Sequence, residues 1–275
     1  MPSRALAALG ILAGCAGSDG AANVAAVDAG AEARTDARAS TPQPDARQEG
    51  PPPDAPSSPF DAGVAATFVD GFEGATLASR WTVLGFEGHQ QPQPTTAVLD
   101  GTRAHGGGKS LHVHDGFIET SPPATAFYGR AWVWFGADPG TGHWMGWVGV
   151  GPGGSQGTEV RYGGHYDILQ ANYFGNDDEV ISDPKGYCSP TCDNGVVMPV
   201  GAWSCVEFYF GKDEMRFWLD GAEVPTLHVT TWRNQAAPWS PAYDRVRLGF
   251  HDFQGSAVDV WYDDVALGTR KIGCD

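Results

Sequence analysis

The sequence predicts an all-β chain folded as a two-sheet antiparallel β-sandwich. Three observations predict it. Helical periodicity is nearly absent after residue 66. Short runs rich in Val, Trp, Tyr and Phe recur there instead, and Gly, Asp, Asn and Pro separate them. More than ten such runs fit between residues 67 and 275 with no helix between them, which suits two packed sheets.

Each run can be placed. Strands are expected over residues 126–135, 143–151, 157–163, 166–174 and 203–210. Gly211-Lys212-Asp213-Glu214 separates Phe208-Tyr209-Phe210 from Met215-Arg216-Phe217-Trp218, as in a hairpin, and Asp220-Gly221 opens another turn. Residues 243–251 and 257–267 close the pattern.

The first quarter of the chain reads differently. All ten Trp, all eight Tyr and every Phe but Phe60 lie after residue 66, so residues 1–66 cannot bury a core. Arg4 precedes an apolar stretch from Ala5 to Leu12, followed by Ala13, Gly14 and Cys15. This order describes a secretory signal. Leu12-Ala13-Gly14-Cys15 also resembles the bacterial lipobox, which implies cleavage before Cys15 and a lipid on its sulfur. Residues 15–66, rich in Ala, Asp, Pro and Ser, read as a solvated tether. The expected organisation is a signal over 1–14, a tether over 15–66 and one sandwich over 67–275, exported and anchored in the cell envelope.

Charge and motif content exclude several functions. The net charge is −16, of which −12 falls after residue 66, and this opposes binding to nucleic-acid phosphates. No apolar run reaches the roughly 18 residues of a spanning helix. A GxxxxGK[ST] phosphate loop is absent, and no GxGxxG-like spacing joins a buried strand to a helix. Beyond Cys15 the cysteines are Cys188, Cys192, Cys205 and Cys274, and three pairings are open. If Cys188 and Cys192 close within one loop, Cys205 joins Cys274. A thiolate metal site is disfavoured, because no CxxC pair occurs and an exported chain meets an oxidising compartment.

Four stretches carry a family resemblance. They are Phe68-Val69-Asp70-Gly71-Phe72-Glu73, Gly108-Lys109-Ser110-Leu111-His112-Val113, Gly201-Ala202-Trp203-Ser204-Cys205-Val206-Glu207, and Trp261-Tyr262-Asp263-Asp264-Val265-Ala266-Leu267-Gly268 running on to Ile272-Gly273-Cys274. Their order resembles the concanavalin-like (laminin-G-like) jelly rolls of secreted carbohydrate-active proteins. It is most similar to the core domain of fungal cellulose-induced Cip-type proteins and their bacterial relatives, a fold shared with glucuronan and alginate lyases. The resemblance spans roughly residues 67–275.

What the resemblance implies is a concave cleft and a structural calcium ion. Calcium takes several oxygen ligands. Asp70, Glu73, Asp263 and Asp264 supply carboxylates, with Glu73 and Asp263 favoured, beside carbonyls near Gly107 and Lys109. In the cleft, Arg161 matches the family's Arg, and His165 stands where an amide is expected. Asp177 matches the acid further on, and His143 matches an upstream His. Arg130, Trp132, Trp134 and Asn172 are assigned to substrate, with Trp132 and Trp134 sharing the face of Arg130 as a cleft wall.

The chemistry can be argued from the residues alone. A β-eliminating lyase needs a group that neutralises the uronate carboxylate, a base for the adjacent proton, and an acid for the leaving oxygen. Arg161 suits the first role, and His165 or His143 the second. Tyr162, Tyr166 and Tyr173 compete for the third, and strand parity favours Tyr173. The E-x-D-x-x-E strand of retaining glycosidases on related folds is absent. Three functions therefore compete: a monomeric polysaccharide lyase, a non-catalytic glycan-binding module, and a structural surface lipoprotein.

Overall fold

The computed structural model describes residues 66–85, 96–152, 159–173, 178–186, 192, 194–232, 242–255 and 258–275. Cys15, Asp177 and Cys188 lie outside these residues. The described chain forms fourteen strands: β1 (Ala66–Asp70), β2 (Thr82–Leu84), β3 (Thr96–Asp100), β4 (Ser110–Thr120), β5 (Phe127–Phe135), β6 (Trp144–Val150), β7 (Glu159–His165), β8 (Ile168–Tyr173), β9 (Asp178–Ile181), β10 (Trp203–Phe210), β11 (Met215–Leu219), β12 (Ala222–Glu223), β13 (Arg245–Asp252) and β14 (Val260–Gly268). No described helix is long and apolar enough to cross a membrane.

Two antiparallel sheets share β4. Its first half pairs with β3 and β14, and its second half, from Gly116 onward, pairs with β13 and β2. The first sheet runs β12-β11-β10-β5-β14, with β1 and the start of β4 side by side along the far edge of β14. The second runs β2-β4-β13-β6-β7-β8-β9. This is the predicted antiparallel sandwich, and its jelly-roll form is shared with the neighbours reported below.

Alternation builds the core. In β5, Phe127, Gly129, Ala131, Val133 and Phe135 are buried, and the residues between them are partly exposed. Phe135 meets Phe250 of the opposite sheet at 6.0 Å between ring centroids, and Tyr162 stacks on Phe210 at 5.7 Å. Burying each such ring contributes about 2–3 kcal/mol.

The turn before β8 falls two residues later than the sequence suggests. β7 continues through Gly163 and Gly164, and the reversal is made by Tyr166 (φ 56°) and Asp167 (φ 66°). Two consecutive positive-φ residues match a two-residue hairpin turn of the kind that suits strand twist. The glycines serve packing instead. A Cβ on Gly163 would lie 2.0 Å from the carbonyl oxygen of Trp144, so only glycine lets β6 approach.

A disulfide joins Cys205 of β10 to Cys274 and fixes the carboxyl-terminal segment against the first sheet. Glu207 supports the same junction, accepting from the Gly273 N–H at 2.7 Å and pairing with Lys271 at 3.3 Å. Cys192 is also disulfide-bonded. Its expected partner, Cys188, is outside the described residues.

Candidate functional site

The second sheet turns Val160 and Tyr162 of β7 into the core, so Glu159, Arg161 and His165 face outward from the sandwich. Cross-strand pairing sets Asn172 opposite Arg161, Gln170 opposite Gly163, and Glu179 opposite Asn172. This outer face is not open surface: Arg161 is 2%, Gln170 1% and Asn172 3% exposed.

Two clusters occupy the face. In the first, the Arg161 guanidinium donates to Glu159 Oε2 from Nη2 at 2.5 Å and from Nε at 3.2 Å. Arg247 of β13 donates to Glu159 Oε1 at 2.5 Å and to Glu119 Oε2 at 2.7 Å. Two cations and two carboxylates thus neutralise one another. Burial pulls the Arg161 pKa down, and the charge and hydrogen bonds of Glu159 oppose that pull.

The second cluster is imidazole. His165 Nδ1 lies 2.9 Å from Glu179 Oε2, and its ring stacks on His143 at 5.2 Å and on Tyr166 at 3.6 Å. Of the described histidines, His105, His112, His114, His165, His228 and His251 each contact a carboxylate. His143 does not, and its Nε2 is buried without a hydrogen-bond partner. Burial, with the neighbouring His165 and Arg161, pulls its pKa down to about 4, so the ring is neutral at pH 7. Its backbone N–H donates to Gln254 Oε1 at 2.5 Å, which fixes the start of β6.

Arg161, His165, His143 and Asn172 therefore share one face of one sheet. Tyr173 does not join them. It pairs with Val160 and packs in the core against Trp232 at 5.9 Å. A two-residue turn inverts parity between paired strands: His165 faces Ile168, so odd positions on β7 match even ones on β8. Tyr162 is likewise in the core, its hydroxyl donating to the Leu227 carbonyl at 3.1 Å. Tyr166, 45% exposed at the turn, is the tyrosine left beside His165. Glu179 and Gln170 escaped the sequence reading, because only the pairing of β8 with β9 brings them here.

Arg130, Trp132 and Trp134 are also displaced from the expected cleft wall. They lie on β5, in the other sheet, and point away from the core that separates the two. Arg130 donates to the carbonyls of Asp264 at 3.1 Å and Gly273 at 3.3 Å, clamping the carboxyl terminus. His105 covers a face of Trp132 at 3.8 Å, and the Arg103 guanidinium covers one of Trp134 at 4.0 Å.

The four carboxylates expected to hold calcium divide into separate tasks. Both Asp70 oxygens are engaged, one by the Phe72 N–H at 2.9 Å and the other by the Trp81 indole N–H at 2.8 Å. Asp263 is fully buried and anchors a loop, accepting from the His105, Gly106 and Asp264 amides. Burial raises its pKa, the adjacent Asp264 charge adds to that, and the three N–H donors oppose it. Glu73 Oε1 accepts from the Gly108 and Lys109 amides at 2.7 and 2.9 Å, and these bonds lower its pKa. Gly107, at φ +63°, has no room for a side chain, since a Cβ would sit 2.2 Å from Glu73 Oε1. Asp264, placed at φ 45° by a bulge in β14, aims Oδ2 at His105. Among the described residues, no group of three or more His, Cys, Asp or Glu side chains converges to hold a metal ion. Glu73 and Asp264 flank one loop, Glu73 beside Gly107 and Asp264 beside Gly106, and the backbone groups that loop turns toward carboxylates are N–H donors.

Comparison with solved structures places this architecture among the jelly rolls. Cellulose induced protein, Cip1, superposes with a TM-score of 0.62 at 24% identity, covering 76% of this chain and all of that one. An endo-β-1,4-glucuronan lyase from the fungus Trichoderma reesei gives a TM-score of 0.49 at 16% identity over 74% of this chain and 96% of its own. A β-1,3-glucanase from Mycobacterium marinum gives 0.47 at 17% identity, covering 75% and 99%. No curated protein sequence matches. Residues 71–270 match the polysaccharide lyase-like family described as Cip1-like, core domain, and the chain belongs to that family.

Proposed function

We propose that this domain engages an extracellular polysaccharide on the outer face of its second sheet and cleaves a uronate-containing chain by β-elimination. The observation that carries this reading is the His165–Glu179 contact at 2.9 Å beside the neutral His143. A carboxylate on Nδ1 selects the Nδ1–H tautomer and leaves the Nε2 lone pair as a base. His165 Nε2 takes the proton beside the uronate carboxylate. The electron pair left on that carbon forms the new double bond as the glycosidic C–O bond breaks. The Tyr166 hydroxyl gives its proton to the departing oxygen. Arg161, Asn172 and Gln170, each at most 3% exposed, form the polar floor beneath the carboxylate while its charge spreads.

One observation favours a second reading, a glycan-binding module without turnover. Arg161 is already neutralised by Glu159, so it brings little uncompensated positive charge to a uronate. One measurement separates the two: ultraviolet absorbance during incubation with glucuronan, alginate and pectate. Elimination leaves an absorbing unsaturated uronate, and binding does not. A rise that disappears in His165→Ala supports the lyase. A flat trace from folded protein that still binds one of these polymers selects the module.

Two further assignments belong to the same reading. Calcium bound by Glu73, Asp264 and the carbonyls of the 105–108 loop would hold that loop against β14. Lipidation at Cys15, supported by Leu12-Ala13-Gly14-Cys15, would hold the domain at the cell envelope on its Pro-rich tether.

A further inference from the structure

The outer face of the first sheet carries an aromatic line that the proposed chemistry does not use. Strand register sets Trp203 of β10 opposite Trp134 of β5, Trp134 opposite Trp261 of β14, and Trp261 opposite His112 of β4. All four are partly exposed. Arg103, from the segment between β3 and β4, enters this line. Its guanidinium carbon is 4.0 Å from the Trp134 ring centre and 4.5 Å from that of Trp261.

The two indoles are themselves held. Trp261 donates its N–H to Asp100 Oδ2 at 2.7 Å and stacks on His112 at 4.6 Å. Trp134 meets Trp203 edge-on at 6.0 Å. The plane of the guanidinium is therefore set before any ligand arrives. Cation–π contact satisfies the face of a guanidinium but none of its N–H donors. The Nη donors meet no described carboxylate within ion-pair distance, whereas Nε is itself buried without a partner, so the edge open to a ligand is that of the two Nη groups.

That is unusual in this protein, where 33 acidic residues face 17 Lys and Arg. Of the described arginines, Arg80, Arg161, Arg216, Arg245 and Arg247 each meet a carboxylate and Arg130 donates to carbonyls; Arg270, which meets none, is exposed, whereas Arg103 is half-buried between indoles. A half-buried cation with a fixed plane and a free donor edge is complementary to a single planar carboxylate. The indole edges on either side suit the C–H surface of a sugar ring. Asp100, which accepts from the Trp261 indole, and Asp259, which contacts His112, add negative charge nearby that opposes a densely charged polyphosphate.

We propose that Arg103, flanked by Trp134 and Trp261, is a second glycan-binding site that takes the carboxylate of an acidic sugar, on the sheet opposite His165 and Glu179. This rests on the reading of the domain as one that engages polysaccharide, but not on its being a lyase. Such a site would hold a long chain while another stretch of it occupies the second sheet.

The test uses the full chain carrying His165→Ala, which removes turnover, with a glucuronate tetramer and a cello-oligomer as probes. Calorimetry and tryptophan fluorescence read binding. Arg103→Gln is expected to weaken uronate binding at least tenfold at one of two sites and to leave the neutral oligomer unaffected. Arg103→Lys keeps the aliphatic stem between the indoles and the charge, but it lacks the planar fork. It is expected to lose most of the same affinity with an unchanged melting temperature. Uronate binding as tight in Arg103→Gln as in its parent would overturn the proposal, and so would an absence of uronate binding in the parent. If wild-type protein shows no elimination but Arg103-dependent binding remains, the lyase reading fails and this site stands.

Discussion

His165 Nδ1 and Glu179 Oε2 are 2.9 Å apart although their strands are not neighbours; the contact spans β8. Glu179 is thus a positioning residue for the imidazole. In the proposed elimination, His165→Ala is expected to lower kcat by about 10²–10⁴-fold. Glu179→Gln should lower it less, with KM little changed. An unchanged kcat in Glu179→Gln would reduce Glu179 to a packing role.

His143 should make the fold sensitive to mild acid. Its pKa falls from 6.5 unfolded to about 4 folded, so between those values the unfolded chain binds more protons. Stability contributed by the neutral ring is complete above pH 6.5 and is lost as pH falls toward about 4. The effect is at most about 3 kcal/mol, reduced by the ring's partial exposure. Urea midpoints for wild type and His143→Gln should converge as pH falls through this window.

Calcium should raise the melting temperature if the Glu73 and Asp264 loop holds it. Glu73 accepts two backbone N–H groups that are otherwise unpaired, so Glu73→Gln should lower the melting temperature even without metal. The same variant should abolish the calcium-dependent increment. A calcium response that survives Glu73→Gln would move the ion elsewhere.

The Cys205–Cys274 link closes a loop of 69 residues in sequence separation. In the chain-entropy model such a closure is worth about 4 kcal/mol. Cys205→Ser with Cys274→Ser should lose about that much, read as a lower urea midpoint. The cost should exceed loss of a surface ion pair such as Arg245–Asp244, which contributes about 0–1 kcal/mol.

Much of the architecture was legible before any coordinates. The period-2 alternation of Phe127 to Phe135 states a half-buried strand on its own, because adjacent side chains must point to opposite faces. The Gly211–Glu214 turn likewise separates β10 from β11 where local composition says it should. The pairing of Cys205 with Cys274 was one of few available arrangements. Arg161, His165 and His143 were legible as candidates through resemblance, and the fold sets them on one face.

Other features depend on register, which a single strand does not encode. Gly163-Gly164 reads as a break, yet it lies mid-strand because Trp144 crowds both positions. That shift moved the turn to Tyr166-Asp167, inverted the parity of β8, and sent Tyr173 into the core. Trp132 and Trp134 read as a cleft wall, but which sheet receives β5 is settled by long-range pairing with β10 and β14. Local sequence therefore determined which residues alternate, turn and cross-link. Only the tertiary structure decided which faces meet, because strand pairing joins residues such as His165 and Glu179 through hydrogen bonds that neither segment specifies alone.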